Sequence, residues 1–128
     1  MNTRELRIGN YVEIEGLITK IVSIGGKKDN HVEIKTLHNH IIETKMNALA
    51  PVPLTNDFLF KCCEFDKEGK HTIGIDHHRH YLKIQDGYIV LMNEKNEILI
   101  QFWDVKYLHQ LQNLYFALKG KEMAIILD

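Results

Sequence analysis

The chain has 128 residues, of which 45% are hydrophobic and 26% charged, a balance that suits a globular domain and excludes disorder as the default. Sixteen Lys and Arg stand against seventeen Asp and Glu, so the formal net charge of −1 supplies no strong field toward nucleic acid or an anionic membrane. No stretch approaches the roughly 18–20 consecutive apolar residues of a bilayer span, and the opening Met1-Asn2-Thr3-Arg4-Glu5-Leu6 lacks a secretory signal, so a cytoplasmic protein without a membrane partner is expected.

The first fifty residues read as short strands. Tyr11-Val12-Glu13-Ile14 alternates in polarity, Glu15-Gly16 turns the chain, and Leu17 to Ile24 continues it. A Gly25-Gly26-Lys27-Lys28-Asp29-Asn30 loop leads into His31-Val32-Glu33-Ile34-Lys35, then through Leu37-His38-Asn39-His40 into Ile41-Ile42-Glu43-Thr44. Short, closely spaced strands with alternating faces predict a small SH3-like β-barrel or curled sheet over residues 1–50.

Both prolines of the chain lie in Ala50-Pro51-Val52-Pro53-Leu54, which divides that subdomain from residues 51–128. Thr55 is placed to cap a short helix with Phe58, Leu59, Cys62 and Cys63 on its apolar face. From His71 to Trp103 strand pattern returns as an antiparallel meander. Its clearest signal is Tyr81–Gln85, Asp86-Gly87, Tyr88–Met92, because Asp-Gly suits a two-residue turn with both residues at positive φ. A closing helix is predicted after Asp104 as N-cap, with Leu108, Leu111, Tyr115 and Leu118 as its stripe and Lys119-Gly120 at its end. Ala124-Ile125-Ile126-Leu127 reads as a last edge strand. The fold class is therefore α+β, with the two segments expected to form one compact unit.

Reactive constellations are scarce. Ser23 is the only serine and no Gly-x-Ser-x-Gly turn surrounds it, which removes serine acyl transfer. Cys62 and Cys63 are adjacent, a strained geometry for a bridge, so reduced thiols are expected. Four of the eight histidines fall in His71…Asp76-His77-His78-Arg79-His80. On an extended strand Asp76, His78 and His80 would share a face, the beginning of a zinc, iron or manganese site. Arg79 sets a fixed positive charge inside that cluster, and the segment reads more simply as a loop feeding the hairpin, so no metal and no cofactor are expected.

Two binding patches remain. Arg4, Arg7, Lys27 and Lys28 would form a basic patch if the fold gathers them, although residues 1–50 carry seven bases against six acids. On the closing helix His109, Gln110, Gln112 and Asn113 stand where Glu and Lys usually do, with Phe116 among them. Such a face is either a contact surface or a face packed on the N-terminal subdomain with its amides partnered. The sequence leaves both open.

Three blocks resemble a family of small, functionally uncharacterised proteins from Bacteroides-type genomes, phages and mobile elements. They are the opening Glu5-Leu6-Arg7-Ile8-Gly9-Asn10-Tyr11-Val12, the joint Pro51-Val52-Pro53-Leu54-Thr55, and the closing helix His109-Gln110-Leu111-Gln112-Asn113-Leu114-Tyr115-Phe116-Ala117-Leu118. Tyr107-Leu108 and Lys119 depart from the family's usual closing pattern. The resemblance implies an accessory protein and brings no catalytic residues. The resulting expectation is a non-enzymatic interaction protein of phage or mobile-element type, one concrete form being an inhibitor that binds a host-defence protein or nucleotide signal. The alternatives are a nucleic-acid-binding accessory using the N-terminal barrel and a small metal-dependent enzyme at His71–His80. Expected partners are accordingly a host or phage protein, with nucleic acid or a second copy of the chain as other occupants.

Overall fold

A computed structural model describes residues 1–25 and 30–127. Over these residues the chain is α+β, with two four-stranded antiparallel sheets and two α-helices. It divides into two units: residues 1–53 with Tyr107–Asn113 form the first, and Leu54–Lys106 with Leu114–Leu127 the second.

In the first unit a 3-10 turn (Thr3–Glu5) precedes β1 (Tyr11–Ile14), β2 (Leu17–Ile24), β3 (His31–Lys35) and β4 (Ile41–Lys45), paired in chain order. Glu15 and Gly16, at φ 50° and 81°, make the tight turn that joins β1 to β2. Alternation puts Val12, Ile21, Val32 and Ile34 on one face, where with Leu6 and Leu49 they are buried as the unit's core. Among the described residues the sheet does not close. No ladder joins β1 to β4, and β1 meets instead the chain after a 3-10 turn (Met46–Ala48) through a single bridge, Glu13 to Ala50. Of the SH3-like barrel or curled sheet expected from strand spacing, the described residues form an open four-stranded antiparallel sheet and no closed barrel.

In the second unit α1 (Asn56–Cys62) starts where expected, with the Thr55 hydroxyl accepting from the Phe58 N–H at 3.1 Å. The second sheet follows as β5 (Lys70–Ile75), β6 (His78–Gln85), β7 (Tyr88–Met92) and β8 (Ile98–Phe102). All five residues of β7 are buried, as its unbroken apolar run requires, whereas β8 is exposed along almost its whole length. Asp86 and Gly87 have φ of 52° and 85°, the conformation their sequence favours.

Three expectations are corrected here. His78 to His80 do not form a loop: they lie in β6, and Asp76 and His77 alone make a two-residue turn, with φ of 50° and 66°. That turn escapes notice because its positive-φ positions hold no glycine. The last helix, α2 (Leu108–Lys119), begins later than Asp104 predicts. Its first free N–H groups are answered otherwise: the Gln110 side chain reaches back to accept from the Tyr107 N–H at 3.1 Å, and the Leu108 N–H donates to the Val52 carbonyl at 2.8 Å. Ala124 to Leu127 do not join a sheet. There the Ile126 N–H donates to the Cys62 carbonyl at 2.8 Å, at the end of α1.

The Asp76-His77 turn gives a test. Asn-Gly is better suited to two consecutive positive-φ positions than Asp-His, so the double change Asp76→Asn/His77→Gly is expected to stabilise the chain by about 0.5–1 kcal/mol. Thermal unfolding should show a melting temperature higher by roughly 2–4 °C.

Candidate functional site

The polar side of α2 provides the densest side-chain network among the described residues. Within the first unit, Leu108, His109, Leu111 and Gln112 are all buried. Gln112 lies against the chain just before β1: its Nε2 donates to the Gly9 carbonyl at 3.0 Å and its Oε1 accepts from the Tyr11 N–H at 2.8 Å. One primary amide thus meets the two backbone groups as the N–H and C=O of one residue in a neighbouring strand would. Asn113 Nδ2 donates to the Glu5 carbonyl at 2.8 Å, and its Oδ1 accepts from Asn10 Nδ2 at 2.9 Å. Asn10 in turn accepts from the Arg7 N–H at 2.8 Å through its own Oδ1. The Glu5 carboxylate accepts from His109 Nε2 and from Gln110 Nε2, both at 3.1 Å.

Neutral amides suit this position because each combines a donor and an acceptor on one rigid plane, which an irregular backbone segment needs from its partner. A Glu or Lys would satisfy one half and leave the other buried and unpaired. Of the two readings of the helix face, the structure therefore shows His109, Gln112 and Asn113 packed on the N-terminal segment, with both amides and the His109 Nε2 bonded there and the His109 Nδ1 left without a partner. Phe116 stands apart from them, exposed in the last turns of the helix and belonging to the second unit.

The basic residues do not form a described patch. Arg4 is exposed, while the Arg7 guanidinium donates to the Gln112 carbonyl at 3.3 Å and to the Ile8 carbonyl at 3.4 Å. Lys27 and Lys28 lie outside the described residues. In the second unit, His77 and Arg79 line an open polar cavity of about 500 Å³ with Tyr81 and Glu94, and Glu94 accepts from the Arg79 backbone N–H at 3.0 Å. His78 and His80 sit in β6 opposite Ile75 and Ile73, with His80 Nδ1 3.2 Å from the His78 carbonyl. Among the described residues no three His, Cys, Asp or Glu side chains converge in a way that could hold an ion, Asp76, His78 and His80 included. Cys63 is fully buried, and burial, together with neighbouring Cys62, pushes its thiol up to about 12, so it stays protonated at neutral pH.

The feature that sequence reasoning missed is the free edge of the second sheet. Ile98, Leu99 and Ile100 are each at least 40% exposed, and Trp103 just beyond them is 58% exposed with its ring 4.3 Å from that of Tyr88. The register slips by one residue at Leu91/Met92, which leaves Leu99 without a partner in β7. The other three terminal strands are protected by charge. Glu13 lies in β1, Glu43 and Lys45 in β4, and Lys70 in β5, where the Lys119 ammonium also covers the Gly74 carbonyl at 2.6 Å. Strand β8, Ile-Leu-Ile-Gln-Phe, has no charged residue and no proline. The available signal was Glu97 followed by five residues without a charge and then an exposed Trp, at the end of a meander.

No family model, curated protein or solved structure matches this chain. Among the described residues no helix is long and apolar enough to cross a membrane.

The amide network predicts an uneven mutational response on one helix. Gln112→Ala leaves the Gly9 carbonyl and the Tyr11 N–H buried without partners and is expected to cost about 2–4 kcal/mol, against less than about 1 kcal/mol for Phe116→Ala. Urea unfolding midpoints measure both, and Gln112→Glu, which keeps an acceptor for the Tyr11 N–H but buries a charge and sets an oxygen against the Gly9 carbonyl, should cost at least as much as Gln112→Ala.

Proposed function

We propose that this chain is a non-enzymatic interaction protein that receives an extended, apolar segment of a partner protein along β8. The carrying observation is the uncharged free edge itself: three consecutive exposed aliphatic residues and an exposed tryptophan, on the one terminal strand among those described that charge does not guard. An edge of this kind offers unpaired backbone donors and acceptors, so a strand is the partner geometry that satisfies them, and apolar side chains on it bury those of β8. Strand addition of this sort needs no reactive group. The buried, protonated Cys63 and the internally bonded helix amides are consistent with that reading.

The resemblance to small proteins of phages and mobile elements supports a host protein as the partner, with blockade of a host-defence component as the concrete form. In that form the chain acts by occupying an edge or a strand-like segment that the host protein needs for its own assembly or activity.

The test compares partner binding by the wild-type chain with that of Ile100→Lys, which places a charge in the middle of the edge while β7, beneath it, is unchanged. A partner captured by wild type should bind at least tenfold more weakly to the variant, and in the complex the amides of residues 98–102 should exchange more slowly with solvent. Equal affinity for the two chains, or unchanged exchange along β8 in the complex, would refute the assignment.

A further inference from the structure

Of the histidines among the described residues, His109 is the one fully enclosed, with 0% of its surface exposed, and it sits in the network that joins α2 to the N-terminal segment. Its Nε2 is 3.1 Å from Glu5 Oε2, and its Nδ1 is buried without any hydrogen-bond partner. The tautomer consistent with both facts is neutral, with the proton on Nε2 donated to Glu5 and a bare lone pair on Nδ1. Protonating Nδ1 would create an N–H with no acceptor and bring a full positive charge into a fully buried position.

Whether Glu5 offsets that cost is decided by the groups facing the ring. From the 3-10 turn comes the Glu5 carboxylate itself, which is 37% exposed and shared with the Gln110 amide, so solvent weakens its pull. From the chain start comes the amine of Met1, which opposes a second positive charge. From the residue before the helix comes Tyr107, whose ring is parallel to the imidazole at 6.2 Å, while Arg7 places its cation on the Gln112 carbonyl. Desolvation outweighs the attraction to Glu5, and the imidazole is held below its ordinary value of 6.5.

We infer that the Glu5–His109 contact is an acid-sensitive latch: protonation of His109 releases the segment from Thr3 to Tyr11 from the first two turns of α2. In the released state His109 is hydrated and accepts its proton readily. The amides of Gln112 and Asn113, with the Gly9 carbonyl and the Tyr11 N–H, then become an open row of donors and acceptors. The sign follows from the depressed folded-state value. The neutral ring's contribution is complete above the ordinary imidazole pKa and shrinks as the pH falls below it, because the released state then binds more protons. This surface shares no residue with β8, and the latch stands on different observations from the binding role proposed above.

Hydrogen exchange on the full chain between pH 7.5 and 5.0, corrected for the intrinsic pH dependence of exchange, tests the latch. Protection of the Tyr11 amide should fall about tenfold for each unit by which the imidazole is depressed. His109→Gln keeps a donor for Glu5 and cannot titrate, so its protection should stay level over the same range. Loss of protection with the same pH profile in His109→Gln, or level protection in wild type, overturns the inference. Should the variant not fold, NMR titration of the wild-type imidazole decides. A midpoint below the ordinary value, in step with the loss of Tyr11 protection, is the expected result, and a titration that leaves Tyr11 protected is the contrary one.

Discussion

The arrangement of the first unit depends on one substitution of partners: a glutamine side chain stands in for a strand. Between the 3-10 turn and β1 the backbone from Leu6 to Asn10 is irregular: Ile21 of β2 pairs with the Gly9 N–H and the Asn10 carbonyl, and the groups on the other side need partners elsewhere. Gln112 takes the Gly9 carbonyl and the Tyr11 N–H together, Asn113 takes the Glu5 carbonyl, and Asn10 closes its own turn onto Arg7. Buried polar groups cost little only when all of them are paired, so the network tolerates few changes at any of its members. The two sequence blocks at issue, Glu5 to Tyr11 and His109 to Asn113, are separated by about a hundred residues and are each other's hydrogen-bond partners. Their distinctive composition therefore has a structural cause, independent of any reaction.

The same network explains which part of the site was legible in the sequence. Neutral amides at positions 110, 112 and 113 mark a helix face that is not merely solvated, and that much follows from composition alone. What they bond to does not follow, because a buried amide and an interfacial amide have the same sequence. Residue Asn10 could have narrowed the choice, since a small polar residue between Gly9 and the first strand suggests a bonded bend, yet its partner lies 103 residues away. Separations of that size are invisible to local periodicity.

For the fold, legibility followed turn chemistry. Glu15-Gly16 and Asp86-Gly87 announce their hairpins because glycine relieves the positive φ, and the strands on both sides were bounded accordingly. Asp76-His77 adopts the same backbone without glycine, so the start of β6, His78 to His80, has the sequence of a loop although it is strand. Closure of the first sheet is a different matter. Strand number and alternation are the same in an open meander and a barrel. The choice rests on whether the last strand reaches the first, and here the chain turns away at Met46–Ala48 and offers β1 only the bridge at Ala50. The tail failed for the opposite reason: Ala124 to Leu127 has strand composition, but its Ile126 amide is already committed to the end of α1.

Apolar content alone does not distinguish β7 from β8, since Tyr-Ile-Val-Leu-Met and Ile-Leu-Ile-Gln-Phe are comparably rich in strand-forming residues. Position in the sheet separates them. With β6 on one side and β8 on the other, β7 is enclosed, and its composition is that of a core strand. With only one neighbour, β8 retains core composition at a boundary, where Lys, Glu or proline ordinarily guard against association. The register slip at Leu99 adds twist at that edge and so limits open-ended stacking, without adding a charge that would repel one specific strand. An edge that is bent yet uncharged discriminates between indefinite self-association and a single bounded contact, and that distinction makes a partner strand a better account of β8 than an unprotected flaw in the fold.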